Sequence, residues 1–251
     1  MALNTSHSPD GRGVLIYNGE MILVYSKEVS LQFEKSNSPA FKGTKKGPLY
    51  LTSHRIIFTN KDQRDQMLSF CMPFSCLRDV KLEQPIFGAN YLKGTVLAQP
   101  GGNWEGDVIF KLSFYQGGCI EFGQALLKAV DLATRCRPMM APPPYSPPAG
   151  GYFSPPPAYY TPAGANYHGF QAPVQAFPDH APAGNVHMYE SPPPYEGIGP
   201  TPPPYPAGST TQPPQGNTYG WNTASAQPQQ QQQQQAASAP PLPSYEEATK
   251  A

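Results

Sequence analysis

The chain has 251 residues, of which 17 are basic and 17 acidic, so its formal net charge is zero. That balance excludes the strongly basic footprint of a protein that coats nucleic acid, and direct sequence-specific nucleic-acid binding is not expected. No apolar run is long enough for a membrane-spanning helix, and the N-terminus has no hydrophobic signal segment, so an intracellular, reducing setting is expected.

The averages conceal two halves that divide at Arg137. Residues 1–137 hold six of the 33 prolines and 16 basic against 12 acidic residues. Residues 138–251 hold the other 27 prolines, 10 of the 15 tyrosines, a glutamine run from Gln229 to Gln235, and one basic residue against five acidic ones. A segment so poor in aliphatic residues cannot bury enough surface of its own to offset its ordering entropy. Residues 138–251 are therefore predicted to be a long disordered tail, and 1–137 the only part able to form a core.

Within 1–137, short apolar runs separated by turn residues predict strands. Met21–Tyr25 is a compact apolar run, and Val29, Leu31 and Phe33 alternate with polar residues at the period of a half-buried strand. Leu49–Thr52 and Arg55–Thr59 flank Ser53-His54, which reads as a tight hairpin. The polar stretch Asn60–Gln66 leads into Met67–Met72, and Leu77–Glu83 follows. Tyr91–Ala98 and Val108–Tyr115 bracket Pro100-Gly101-Gly102-Asn103, a strong turn signal. Gly117-Gly118 marks another turn before Cys119–Phe122, read as a last short strand.

The period then changes. Phe122, Ala125, Leu126, Ala129, Val130 and Ala133 fall on one face of an amphipathic helix that ends before Pro138. Seven or so antiparallel strands followed by one helix predict a mainly β domain, a small barrel or sandwich plugged by its C-terminal helix.

The residue types that carry catalysis or metal binding are present but scattered. Cys71, Cys76, Cys119 and Cys136 form no C-x-x-C pair, and Cys71 and Cys119 read as small buried hydrophobes. Of the five histidines, His54 is placed in the hairpin turn, while His7, His168, His180 and His187 fall in segments expected to lack fixed structure. No nucleophile elbow, phosphate loop or paired-histidine zinc motif occurs, so neither an enzyme nor a metal or other cofactor is expected.

The segments Phe41-Lys42-Gly43-Thr44-Lys45-Lys46-Gly47 and Leu49-Tyr50-Leu51-Thr52-Ser53-His54-Arg55-Ile56-Ile57-Phe58 resemble a GRAM domain, a pleckstrin-homology-like fold. With Met1-Ala2-Leu3-Asn4, Met72-Pro73-Phe74, Gln84-Pro85-Ile86-Phe87-Gly88-Ala89-Asn90-Tyr91 and Trp104-Glu105-Gly106, the chain is similar over about residues 1–136 to the WW domain-binding protein 2 family. That resemblance implies one of two branches, transcriptional coactivation or a sperm perinuclear role. The coactivator branch would shuttle between cytoplasm and nucleus, with nuclear receptors and chromatin as further contacts.

The tail contains the most specific chemistry. Pro142-Pro143-Pro144-Tyr145, Pro156-Pro157-Ala158-Tyr159, Pro192-Pro193-Pro194-Tyr195 and Pro202-Pro203-Pro204-Tyr205 are four copies of Pro-Pro-x-Tyr, and Leu242-Pro243-Ser244-Tyr245 is a variant fifth. Proline runs favour the polyproline II helix, which loses little entropy on binding. WW domains take such helices in an aromatic groove where the tyrosine is the anchor. The expected partners are therefore WW-domain proteins, either coactivators of the Yes-associated type or HECT-type ubiquitin ligases.

Acidic residues follow Tyr195 and Tyr245, which makes both candidate phosphotyrosines whose added charge would oppose an apolar slot. Lys42, Lys45, Lys46 and Arg55 form a candidate basic patch for an anionic lipid, with phosphoinositide the expected headgroup.

Overall fold

The computed structural model describes residues 2–34, 36, 38–136, 152–153, 166–189 and 191–199, all of which fall in one compact unit spanning Met1–Tyr205. Its framework is an antiparallel sheet. In chain order the strands are β1 (Ala2–Leu3), β2 (Val14–Ile16), β3 (Ile22–Glu34), β4 (Lys45–Thr52), β5 (Arg55–Thr59), β6 (Ser69–Pro73), β7 (Leu77–Glu83), β8 (Tyr91–Leu97) and β9 (Asp107–Phe114). Eight of them pair in the order β1-β6-β5-β4-β3-β9-β8-β7, and β2 stands apart. Leu3 donates its N–H to the Gly102 carbonyl at 2.9 Å, which links β1 to the β8–β9 turn.

The strands follow the sequence periods closely. Along β8 and β9 the buried residues alternate (Leu92, Gly94, Val96; Val108, Phe110, Leu112, Phe114), as a sheet with one solvated face requires. The two apolar runs expected at Met21–Tyr25 and Val29–Phe33 are one long strand. A register shift between Ser26 and Val29 joins them, a bulge that lets the strand bend from β4 towards β9.

Cys119–Phe122 is not a strand. Gly117 and Gly118 both take positive φ, which turns the chain sharply, and helix α1 (Cys119–Arg135) begins directly after them. Cys119 and Phe122 are already three apart on the helix face that buries Ala125, Leu126, Ala129 and Ala133, so the helical period starts earlier than the apolar run suggests.

Strands β5 and β6 are buried throughout, which a sheet facing solvent on one side does not allow. Ile56, Phe58, Phe70 and Met72 point into the main core with Phe110, Phe122 and Leu126. On the opposite face Tyr25, Tyr50, Ile57 and Cys71 lie in register across β3, β4, β5 and β6 and form a second apolar cluster.

The cover for that second face comes from the proline-rich half. Strand β10 (Tyr152–Phe153), the short hairpin β11 (Asn166–Tyr167) and β12 (Phe170–Gln171), and β13 (Val186–Tyr189) follow the helix. β13 runs parallel to β2, pairing Val186 with Val14 and Met188 with Ile16, and both strands pack their apolar side chains on the Tyr50–Ile57 face. Phe170 enters the main core beside α1, and Phe177 stacks within 6.3 Å of Phe114 and 6.1 Å of Phe122.

Residues 166–189 and 191–199 are thus packed, although composition places them in the disordered tail. A segment so poor in aliphatic residues cannot build a core of its own. This segment instead lays a few large apolar side chains on a surface the domain already provides. His168, His180 and His187 belong to it and are described with it, and His7 is held at Ser69 Oγ, 2.9 Å from its Nδ1.

Candidate functional site: a tyrosine cleft and the ligand motifs

The hairpin turn between β4 and β5 and the loop after β2 meet around a buried ion pair. Arg55 is 1% exposed and donates from Nε and Nη2 to the two Glu20 carboxylate oxygens at 2.9 and 3.0 Å. Its remaining donors reach the Leu15 carbonyl at 3.0 Å and Ser6 Oγ at 2.9 Å. Glu20 also accepts the Tyr17 N–H at 2.8 Å and the Thr52 hydroxyl at 2.6 Å. Such a fork-on-fork pair is sustainable away from water because nearly every donor and acceptor is matched.

Burial by itself would neutralise both groups. The mutual attraction outweighs it, holding the Glu20 carboxyl below its ordinary value and Arg55 firmly protonated. Next to them His54 is buried in the turn, its Nδ1 2.7 Å from Ser53 Oγ. Burial, reinforced by the Arg55 charge and opposed by Glu20, lowers its pKa to about 4, so it is neutral at physiological pH.

Tyr195, the tyrosine of the third Pro-Pro-x-Tyr motif, closes this cleft and is only 6% exposed. Its ring stands edge-on to Tyr17 with centroids 5.8 Å apart, and the Arg55 guanidinium lies 5.7 Å from its centroid and 4.6 Å from that of Tyr17. Backbone hydrogen bonds tie the segment at both ends: Asn18 N–H donates to the Ser191 carbonyl at 3.1 Å, and Ile198 N–H donates to the Ser53 carbonyl at 2.8 Å. Pro193 and Ile198 are buried beside it.

Gly197 lies so close to the His54 ring that a Cβ there would sit 2.3 Å from it, so only glycine fits. The fit is incomplete in other respects. Tyr195 OH and Ser191 Oγ are buried without a hydrogen-bond partner, each costing roughly 1–3 kcal/mol. A cavity of about 230 Å³ lined by Phe74, Ser75, Arg78, Ala133 and Thr134 also borders Tyr195 and Glu196.

The other candidate residues fall as follows. Pro142, Pro143, Tyr145, Pro156, Pro157, Tyr159, Pro202, Pro203, Tyr205, Pro243 and Tyr245 lie outside the described residues. Pro192, Pro193 and Tyr195 are docked, so Tyr195 is inaccessible to a kinase while it fills the cleft.

The four cationic residues proposed for lipid do not assemble into a surface patch. Arg55 is locked to Glu20, and Lys45, 5% exposed, donates to Asp65 at 2.5 Å, leaving Lys42 and Lys46 at the surface. The reason is local. Arg55 sits on a strand buried on both faces and Lys45 on the buried face of β4, where a charge survives only if paired. The continuous apolar run Ile56-Ile57-Phe58 beside Arg55 is the sequence signal for this, because a strand without alternation is covered twice.

Among the described residues no group of three or more His, Cys, Asp or Glu side chains is arranged to hold a metal ion, and no helix is long and apolar enough to cross a membrane.

The mainly β domain closed by one helix coincides with a GRAM domain, whose family model matches residues 19–132. WW domain-binding protein 2 of Homo sapiens is 46% identical over 158 residues, covering 62% of this chain and 60% of the relative. Postacrosomal sheath WW domain-binding protein of Bos taurus is 41% identical over 197 residues, covering 77% of this chain and 59% of the relative. A UPF0664 stress-induced protein of Schizosaccharomyces pombe is 36% identical over 116 residues, which are 44% of this chain and 67% of that protein.

The chain thus carries a GRAM domain and is similar over much of its length to WW domain-binding protein 2 and postacrosomal sheath WW domain-binding protein. It spans about three fifths of the length of the human and bovine relatives.

Proposed function

We propose that this protein is a non-enzymatic adaptor whose proline-rich half engages WW domains through repeated Pro-Pro-x-Tyr motifs, and that it serves transcriptional coactivation in the nucleus and cytoplasm. The repetition of the motif, four full copies and one variant within residues 142–245, carries the reading. Each copy is a preformed polyproline ligand with an aromatic anchor, and several copies on one chain raise apparent affinity for a partner with two WW domains by about 10²–10⁴. The names of the human and bovine relatives support the same class of partner.

The test compares the intact chain with one in which Tyr145, Tyr159, Tyr195, Tyr205 and Tyr245 are all alanine. Capture by a tandem-WW protein should fall at least about 100-fold. Undiminished capture overturns the reading.

A second reading, a membrane-associated adaptor that brings HECT-type ligases to their targets, is favoured by one observation. The β7–β8 turn presents Ile86 and Phe87 at 94% and 91% exposure, beside a row of lysines, Lys81, Lys93 and Lys111, paired across three strands on the solvent face. An apolar tip next to lysines suits an anionic bilayer surface, although Lys93 shares its charge with Glu34 at 2.7 Å. Sedimentation with phosphatidylserine vesicles should then be reduced at least about fivefold by Ile86→Asp with Phe87→Asp. Binding that is absent in the unaltered chain, or unchanged in the variant, rules it out.

A further inference from the structure

The cleft around Arg55 is a binding site in its own right, and its occupant is part of the same chain. We propose that the GRAM domain holds residues 191–198 as an internal ligand, so that the third Pro-Pro-x-Tyr motif is withheld from WW domains until this strap lifts. The inference rests on the WW-ligand reading of the motif and adds a competitor for it.

Four observations carry it. A WW groove uses the motif tyrosine as its anchor, and one ring cannot fill that groove and the Tyr17–Arg55 cleft together. The strap is anchored on either side of Tyr195 by backbone hydrogen bonds to Asn18 and Ser53, so the whole motif is engaged. β13 ends at Tyr189, two residues before Ser191, and delivers the motif to the cleft from a strand paired with β2. The unpartnered Tyr195 hydroxyl and the cavity beside the ring leave the docked state improvable, as a displaceable ligand should be.

Apparent affinity at this motif is therefore the intrinsic affinity scaled by the fraction of chains with the strap lifted. The neighbouring motif ending at Tyr205, 10 residues on, lacks its nearest partner copy for a tandem-WW protein until the strap releases Tyr195.

The experiment uses the full chain with Tyr145, Tyr159, Tyr205 and Tyr245 replaced by alanine, leaving Tyr195 as the sole motif tyrosine. This chain and a synthetic peptide of residues 188–200 are titrated with an isolated WW domain of the Yes-associated type. The peptide should bind at least tenfold more tightly. Introducing Gly197→Leu, which forces the strap off the His54 ring, should bring the chain to within about twofold of a peptide carrying the same change. Equal affinities for the unaltered chain and peptide overturn the proposal.

If the peptide itself does not bind, the WW reading fails and the strap is judged separately by hydrogen exchange. An Ile198 amide protected in the full chain and released by Gly197→Leu upholds internal docking. An Ile198 amide that exchanges at the peptide rate overturns it.

Discussion

Replacing Arg55 with methionine is expected to destabilise the domain by about 3–5 kcal/mol, a large share of the 5–15 kcal/mol typical of a whole domain. The cost is not the loss of the attraction itself. It is the carboxylate left behind: Glu20 would remain in the core with its two oxygens stripped of the Nε and Nη2 donors now at 2.9 and 3.0 Å. Leu15 would keep an unpaired carbonyl and Ser6 an unpaired hydroxyl, while Tyr17 would lose its stacked cation. Urea unfolding followed by circular dichroism should show the midpoint about 2 M lower.

Glu20→Gln alone strands the opposite charge and should cost a similar amount. The double variant should be less destabilised than the sum of the singles by about 1–3 kcal/mol, because a neutral pair leaves no buried charge. Strict additivity would mean that the two groups do not act as a pair. A loss below about 1 kcal/mol for Arg55→Met would mean that the guanidinium is not buried as described.

The second large effect is a pH dependence centred on His54. In the unfolded chain this imidazole titrates near 6.5, whereas burial, opposed by Glu20 and reinforced by Arg55, lowers it to about 4 in the native domain. Between those values the unfolded chain binds a proton that the folded one refuses, so stability falls as pH falls from about 6.5 to 4. The full difference amounts to about 3 kcal/mol. His7, also lowered by burial, contributes in the same sense. Glu20, held below its ordinary value by Arg55, adds a further loss only at lower pH, where its own carboxyl is protonated.

Urea midpoints measured at pH 7, 6, 5 and 4.5 should therefore decline steadily, and His54→Gln should flatten most of that decline. A wild-type profile that is level between pH 7 and 5 would contradict a neutral, buried His54.

How far these features could be read from the sequence depended on whether the relevant force was local. The hairpin at Ser53-His54, the alternation along Tyr91–Leu97 and Asp107–Phe114, and the amphipathic helix after Gly118 are periodic patterns that name their own element. The helix start at Cys119 is not legible in the sequence because a helix and a buried strand share short apolar runs, and only the paired positive-φ glycines separate them. The burial of Arg55 is hidden from the sequence for a different reason. A cation on a strand is solvent-facing by default, and its true partner, Glu20, lies 35 residues away with nothing in the spacing to join them.

The sequence by itself determined the strands from β3 to β9, the closing helix, the family resemblance and the repetition of the Pro-Pro-x-Tyr motif, but not β1 or β2. Each follows from chain-local chemistry: period, turn residues, or the stiffness of proline. Tertiary structure alone decided where the third motif sits. Tyr195 sits in a motif chemically like the others, yet it fills a cleft formed where Tyr17, Glu20, His54 and Arg55 converge from separate strands and turns. Composition averages over a segment and cannot register a surface built elsewhere in the chain. The apolar face of Tyr25, Tyr50, Ile57 and Cys71 exists only once four strands are in register, and that face gives the proline-rich half somewhere to pack.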